Sequence, residues 1–210
     1  MTPQYVVRSQ PKRRTHPTRP WVGLCGAAGV GKDTLATHLV EAYGFARVAF
    51  ADPVRDMALR IDPYVHTSTK TERLSSLVGR VGWEAAKRDY TDVRRLLQRV
   101  GTDGVRTEAP DFWVDLALAA AAKAERPVVF TDMRFPNEAQ AIACRGGFTL
   151  RIVGAGDLDG AAAQHRSEQA LEAWAESFTF RNPPTGEREA DARMGQAARE
   201  LVALMLEEIA

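Results

Sequence analysis

Residues 21–39 read WVGLCGAAGVGKDTLATHL, an apolar run that enters a glycine-rich turn and continues as a helical pattern. Within it, Gly26, Ala27, Ala28, Gly29, Val30, Gly31 and Lys32 fit the spacing G-x-x-x-x-G-K of a phosphate loop. Asp33 stands where Ser or Thr ordinarily follows the lysine, and Thr34 comes next. Glycines let successive backbone N–H groups turn inward around phosphate oxygens, and the following helix presents its positive end to the same anion. Lys32 adds a mobile cation for the terminal phosphates. A strand ahead, a helix behind and a lysine in the required place distinguish this segment from an ordinary strand-to-helix turn.

Outward from the loop, the pattern alternates strand and helix. Trp21–Cys25 is the first expected strand and Lys32–Tyr43 the helix it feeds, ended by Gly44. Arg47–Phe50 is a second short apolar run, and Asp52-Pro53 supplies a cap and first-turn proline for a helix through Arg60. Residues 61–90 mix basic residues with short apolar pieces and are expected to leave the sheet as helices and loops. Helices are expected over Val93–Val100 and Phe112–Ala124, and a buried strand over Pro127–Thr131. A helix over Asn137–Arg145, a strand over Phe148–Val153, a helix over Ser167–Ala175, a strand over Phe178–Phe180 and a closing helix over Glu187–Ile209 complete the pattern. The fold class expected is α/β, a parallel sheet flanked by helices.

The length of 210 residues and 45% hydrophobic content suit one domain with a substantial core. Residues 21–210 are read as that domain, with residues 61–110 as an inserted helical lid or acceptor-binding region. The net charge of +1 conceals an asymmetry: Arg8, Lys12, Arg13, Arg14 and Arg19 fall in residues 1–20, which hold no acid. Four prolines and no periodicity mark residues 1–20 as a flexible arm, expected to be a solvated tail rather than a nucleic-acid-binding element. Neither a secretory signal nor a membrane span is expected. Cys25 and Cys144 have no metal-ligand spacing and read as buried free thiols of a reducing cytoplasm.

Asp132 closes the run Val128-Val129-Phe130-Thr131. Ligands of parallel sheets lie beyond the carboxyl ends of the strands, so Asp132 is expected to face the phosphate loop. There it can hold the water shell of Mg²⁺ or contact an acceptor; the alternative is a cap on the next helix. Arg134 follows, placed to neutralise charge on a transferring phosphoryl group or to form a surface ion pair.

The segments GAAGVGKDTLA, FADPVRDMA, VRRLLQRVGTD, DFWV, VVFTDMRFPNEAQA and HRSEQAL together resemble the bacteriophage-type deoxynucleoside monophosphate kinases, over about residues 21–172. The resemblance implies a phosphate-loop kinase fold and transfer of the γ-phosphate of ATP to a deoxynucleoside monophosphate, with Mg²⁺. It implies that Gly26–Thr34 holds ATP and that Arg55, Arg94, Trp113 and Asp132 contact the acceptor, with Arg95 as a neighbour of Arg94. Two adjacent arginines in a first helical turn are unfavourable where the helix prefers anions, and a bound phosphate would offset that. The resemblance gives Trp113 a stacking face for the base, although an aromatic in a helix's first turn more often packs in the core; Arg166, in the segment His165–Glu168, could reach ATP in a closed state, at a position that varies in the family. Asp33 and Asp132 are the candidate metal ligands. Catalysis is expected to rest on positioning and charge neutralisation by Lys32, Asp132 and Arg134, with closure of residues 61–90 excluding water. The alternatives are a phosphomevalonate-type or dephospho-coenzyme A-type kinase, or a DNA-processing ATPase. The expected compartment is the cytoplasm, of a bacterial host if phage-encoded, and the closing helix can pack on its own sheet or on a second copy.

Overall fold

The computed structural model describes residues 5–7, 19–154, 171, 174, 176–183 and 186–209. The expected helix at 167–175 and the segment His165–Glu168, Arg166 included, lie largely or wholly outside the described residues.

In chain order the elements are β1 (Tyr5–Val7), β2 (Trp21–Cys25), α1 (Lys32–Tyr43), β3 (Ala46–Val48), α2 (Asp52–Ile61), β4 (Tyr64–His66), β5 (Thr71–Arg73), α3 (Leu74–Asp89) and α4 (Thr91–Gln98). A wider π-helical stretch over Arg99–Arg106 follows, then α5 (Phe112–Ala122), β6 (Val128–Phe130), α6 (Pro136–Cys144), β7 (Phe148–Gly154), β8 (Phe178–Asn182) and α7 (Glu187–Ile209). The chain divides into two compact units, one made of residues up to Ala49 and from Ala119, the other of Phe50–Leu118. The excursion expected over 61–110 is therefore wider at both ends.

The first unit is built on a six-stranded sheet ordered β1-β8-β7-β2-β6-β3. All neighbours are parallel except β1, which pairs antiparallel with β8 through Tyr5↔Phe180 and Val7↔Phe178. The expectation that residues 1–20 lie outside the fold thus needs correction at Tyr5–Val7, where alternating backbone groups satisfy an otherwise open sheet edge. β2 is central because its apolar sequence can be covered on both faces: Val22, Leu24 and Cys25 are all at most 1% exposed. α7 presents Met194, Ala197, Ala198, Leu201 and Met205, spaced three or four apart, to a core shared with Leu35 and Leu39 of α1 and with the sheet. Among the described residues no helix is long and apolar enough to cross a membrane.

Cys25 is buried, and burial pushes its thiol up to about 12, Arg151 partly opposing the shift. The thiol stays neutral in the folded chain, so this group's contribution to stability is complete below its ordinary value of 9.0 and is lost as pH rises toward 12. Cys144 is exposed. A thiol reagent at pH 8 is expected to modify one cysteine in native protein and two in denatured protein; two native equivalents would contradict the burial of Cys25.

The second unit has its own core of Ala58, Val65, Leu74, Leu77, Ala86 and Val93, with Trp83, Tyr90, Leu96 and Leu97 packed against it. β4 and β5 form an antiparallel hairpin, closed by Thr67, whose N–H donates to the Lys70 carbonyl at 2.8 Å. α3 is interrupted at Gly82, where φ is 76° and ψ 164°. Only glycine accepts that conformation readily, so the helix changes direction there.

Candidate active site

The loop between β2 and α1 sits where the sheet's connections diverge, since β2 has β6 on one side and β7 on the other. In a parallel sheet this switch point opens a crevice at the carboxyl ends of the strands. The sequence suits the turn closely. Gly26 has φ of 130°, and a Cβ there would lie 2.2 Å from the Ile152 carbonyl oxygen. Gly31, the N-cap of α1, has φ of 103°, and a Cβ there would lie 2.7 Å from Met194 Cε. A side chain at either position would fill the space that lets the backbone curl.

Lys32 begins α1, and its Nζ donates to the carbonyls of Gly26 at 2.7 Å and Ala27 at 2.5 Å. The ammonium therefore lies against the mouth of the loop, held by bonds that an anion there can replace. Ala28 and Gly29 are exposed, Ala27 and Val30 are buried, and Thr34 is half-buried. Asp33 is exposed in the first turn of α1, where a carboxylate complements the helix dipole. Its side chain stands where a hydroxyl is usual.

Asp132 is placed by the chain leaving β6. Thr131 N–H donates to the Val48 carbonyl of β3 and Met133 N–H to the Leu24 carbonyl of β2, both at 3.1 Å. Thr131 and Met133 are buried while Asp132 between them is half-buried. The Asp132 backbone thus lies at the strand ends, beside the segment of β2 that leads into Gly26. Helix capping here belongs to another residue: buried Glu138 accepts N–H bonds from Arg134 at 2.7 Å and Phe135 at 3.1 Å. Arg134 has an exposed side chain.

Behind the loop, Arg151 of β7 is in register with Cys25 of β2. Its guanidinium bonds Glu176 through both Nε, at 2.7 Å, and Nη2, which also donates to the Leu171 carbonyl at 2.8 Å. The Glu176 side chain is 4% exposed and that of Arg151 24%. This ion pair, which local sequence pattern does not reveal, braces the strand that delivers the loop.

The remaining candidates belong to the second unit. Arg55 on α2 pairs with Glu84 at 3.1 Å and approaches Asp52 at 3.6 Å, and its centre lies 5.9 Å from the Trp83 ring. Its buried Nε has no partner among the described residues. Arg94 is exposed and has no ion-pair partner among the described residues. Arg95 is 3.8 Å from Asp92, an exposed pair of small energetic weight. Asp92 is held below the usual carboxylate range, first by the His66 backbone N–H and then by its imidazole. Trp113 departs from expectation. It is 1% exposed, and its Nε1 donates to the Gly101 carbonyl at 2.8 Å. A ring so covered has no free face for a base; an aromatic in the first turn of an amphipathic helix goes to the core, and this one anchors the π-helical stretch. Trp83 and Glu84, beside Arg55, were not distinguishable in the sequence from the surrounding mixed segment; a tryptophan after the Gly82 break was the available signal.

Among the described residues, no group of three or more His, Cys, Asp or Glu is gathered as a protein cage for a metal. A glycine-rich loop at the switch point of a parallel sheet, with a lysine opening the next helix, makes this a phosphate-loop nucleotide-binding fold of the α/β class.

The chain is similar to an Acanthamoeba polyphaga mimivirus protein described as "Putative deoxynucleotide monophosphate kinase", at 28% identity over 172 residues, 71% of this chain and 81% of that one. This agrees with the resemblance drawn from the motifs. No family model matches the chain. Among solved structures, TT1252 from Thermus thermophilus aligns at a TM-score of 0.45 and 20% identity, covering 90% of this chain and 98% of that one. Dephospho-CoA kinase from Campylobacter jejuni aligns at 0.40 and 14%, covering 86% and 95%. At those levels neither structure bears on activity.

Proposed function

We propose that this protein transfers the γ-phosphate of ATP to a deoxynucleoside monophosphate, giving the diphosphate and ADP. The observation that carries the reading is the Gly26–Thr34 loop at the sheet's switch point, closed by Lys32, in a chain similar to the mimivirus protein. The backbone N–H groups of the loop and the start of α1 bind the donor phosphates. Lys32 exchanges its bonds to Gly26 and Ala27 for phosphate oxygens and neutralises charge as the phosphoryl group moves.

The residues suit Mg²⁺, which takes one or two carboxylates together with phosphates and water rather than a protein cage. Asp132 and Asp33 are the carboxylates that would hold it, Asp33 replacing the usual hydroxyl. When bound, the ion would supply positive charge that offsets the charge of the phosphates. Asp132 also suits orientation of the acceptor, and Arg134 supplies a further cation. Little covalent work falls to the protein; the chain positions two anions and neutralises their repulsion.

Arg55 and Arg94 are the cations assigned to the acceptor phosphate, with Arg95 contributing charge nearby. Arg55 retains an unsatisfied buried Nε and Arg94 has no ion-pair partner among the described residues, so both have donor capacity to spare. Replacing Arg94 by alanine is expected to raise the acceptor KM about 10- to 100-fold, the loss of a hydrogen bond between charged groups, with ATP affinity unchanged. Steady-state kinetics at varied acceptor and saturating ATP tests this; a selective loss of ATP affinity would move Arg94 to the donor side. The function itself is tested by coupled ADP release from ATP and Mg²⁺ with each deoxynucleoside monophosphate, phosphomevalonate, dephospho-coenzyme A and DNA offered in turn.

A further inference from the structure

Asn182, the last residue of β8, lies 152 positions from Val30 in sequence, yet its side-chain Nδ2 donates to the Val30 carbonyl at 2.9 Å. An amide side chain facing a carbonyl must present nitrogen, which leaves Oδ1 on the other side. There Oδ1 is buried with no partner among the described residues. A buried acceptor without a donor carries a desolvation penalty that an apolar residue at this position would avoid. The polar side chain therefore stands there against a local penalty, and among the described residues its side-chain bond is to the phosphate loop.

The consequence follows from the peptide unit. A trans peptide is planar, with its C=O and the next N–H pointing in opposite directions. Holding the Val30 carbonyl toward β8 therefore turns the Gly31 N–H away from β8. Val30 itself is flanked by Gly29 at φ of 82° and Gly31 at φ of 103°, two residues whose freedom would otherwise let this peptide rotate. Packing adds to the restraint. A Cβ on Gly31 would lie 2.7 Å from Met194 Cε and 3.2 Å from Asn182 Nδ2, so β8 and α7 together back this part of the loop. The Val30 side chain is likewise buried, close against Gly154 at the end of β7.

We propose that Asn182 is a positioning residue of the phosphate loop: by holding the Val30 carbonyl it aims the Gly31 N–H toward the bound phosphate. This rests on the reading of Gly26–Thr34 as the ATP site. It adds a determinant of donor affinity from the far end of the sequence, outside the glycine-rich motif.

The test is equilibrium binding of ATP, by calorimetry without acceptor, to wild-type protein, Asn182→Ala and Asn182→Asp, with thermal unfolding measured on each. The alanine variant is expected to bind ATP about tenfold more weakly, the effect of one lost orienting hydrogen bond. The aspartate variant keeps the shape but sets a carboxylate against the carbonyl and near the triphosphate, so it is expected to bind more weakly still. In kinetics, the acceptor KM is expected to stay within about twofold of wild type in both variants. A residue that merely fills space would leave the isosteric aspartate variant binding like wild type, and that result would overturn the assignment. Wild-type affinity in the folded alanine variant would also overturn it. Wild-type protein that binds no ATP would overturn the ATP-site reading and this one together, whereas normal wild-type binding with unaffected variants would remove Asn182 alone.

Discussion

Lys32→Ala is expected to lower turnover about 10²- to 10³-fold, the usual consequence of removing one group that stabilises developing charge in a water-poor site. Stability is expected to change by no more than about 1 kcal/mol, because the bonds of the ammonium to the Gly26 and Ala27 carbonyls lie in a partly exposed loop. The two measurements separate chemistry from folding. Initial rates give the first and denaturant unfolding gives the second. A variant that keeps more than half of wild-type turnover would remove Lys32 from the phosphoryl path. A variant that fails to fold would show instead that the lysine is a structural brace.

Glu176→Ala is expected to have the largest effect on stability, about 3 kcal/mol by denaturant unfolding. Breaking a buried ion pair leaves an uncompensated charge, typically worth about 3–5 kcal/mol, and the 24% exposure of Arg151 places this case at the lower end. The loss is the cost of breaking the pair rather than the net worth of a strongly favourable one. Replacing both partners together, Glu176→Leu with Arg151→Met, is therefore expected to restore much of the stability. A change below about 1 kcal/mol in the single variant would show that water reaches the guanidinium and that the pair braces little. Because Arg151 is in register with Cys25, the residue before the phosphate loop, the destabilised variant is also expected to bind ATP more weakly at a given temperature.

Elements marked by glycine or by unbroken periodicity were legible in the sequence. Gly44 ends α1 in a left-handed conformation at φ of 70°, as expected of a helix stop, and the apolar spacing of α7 gave its bounds. β6 lay within the expected run because a central parallel strand is apolar throughout, and all three of its residues are buried. The hairpin β4–β5 was not legible. Its strands have three residues each, and its turn is closed by Thr67 and Lys70 rather than by a glycine signal. α3 was obscured by Gly79 and Gly82, the second of which truly breaks the helix. The phosphate loop and the placement of Asp132 followed from strand–turn–helix logic. Glu176, Glu138 and Asn182 did not, since each acts through a buried bond to backbone or to a distant strand that no local pattern encodes. Trp113 shows the converse: motif likeness suggested an open ring, while burial and the bond to Gly101 make it a core anchor.

The central claim is tested most directly by ADP formation from ATP and Mg²⁺ in the presence of each candidate acceptor. The predicted result is turnover with at least one deoxynucleoside monophosphate, the matching diphosphate appearing in equal amount, and no stimulation by DNA. Turnover confined to phosphomevalonate or dephospho-coenzyme A, or ATP hydrolysis driven by DNA without phosphorylation of any monophosphate, would contradict it.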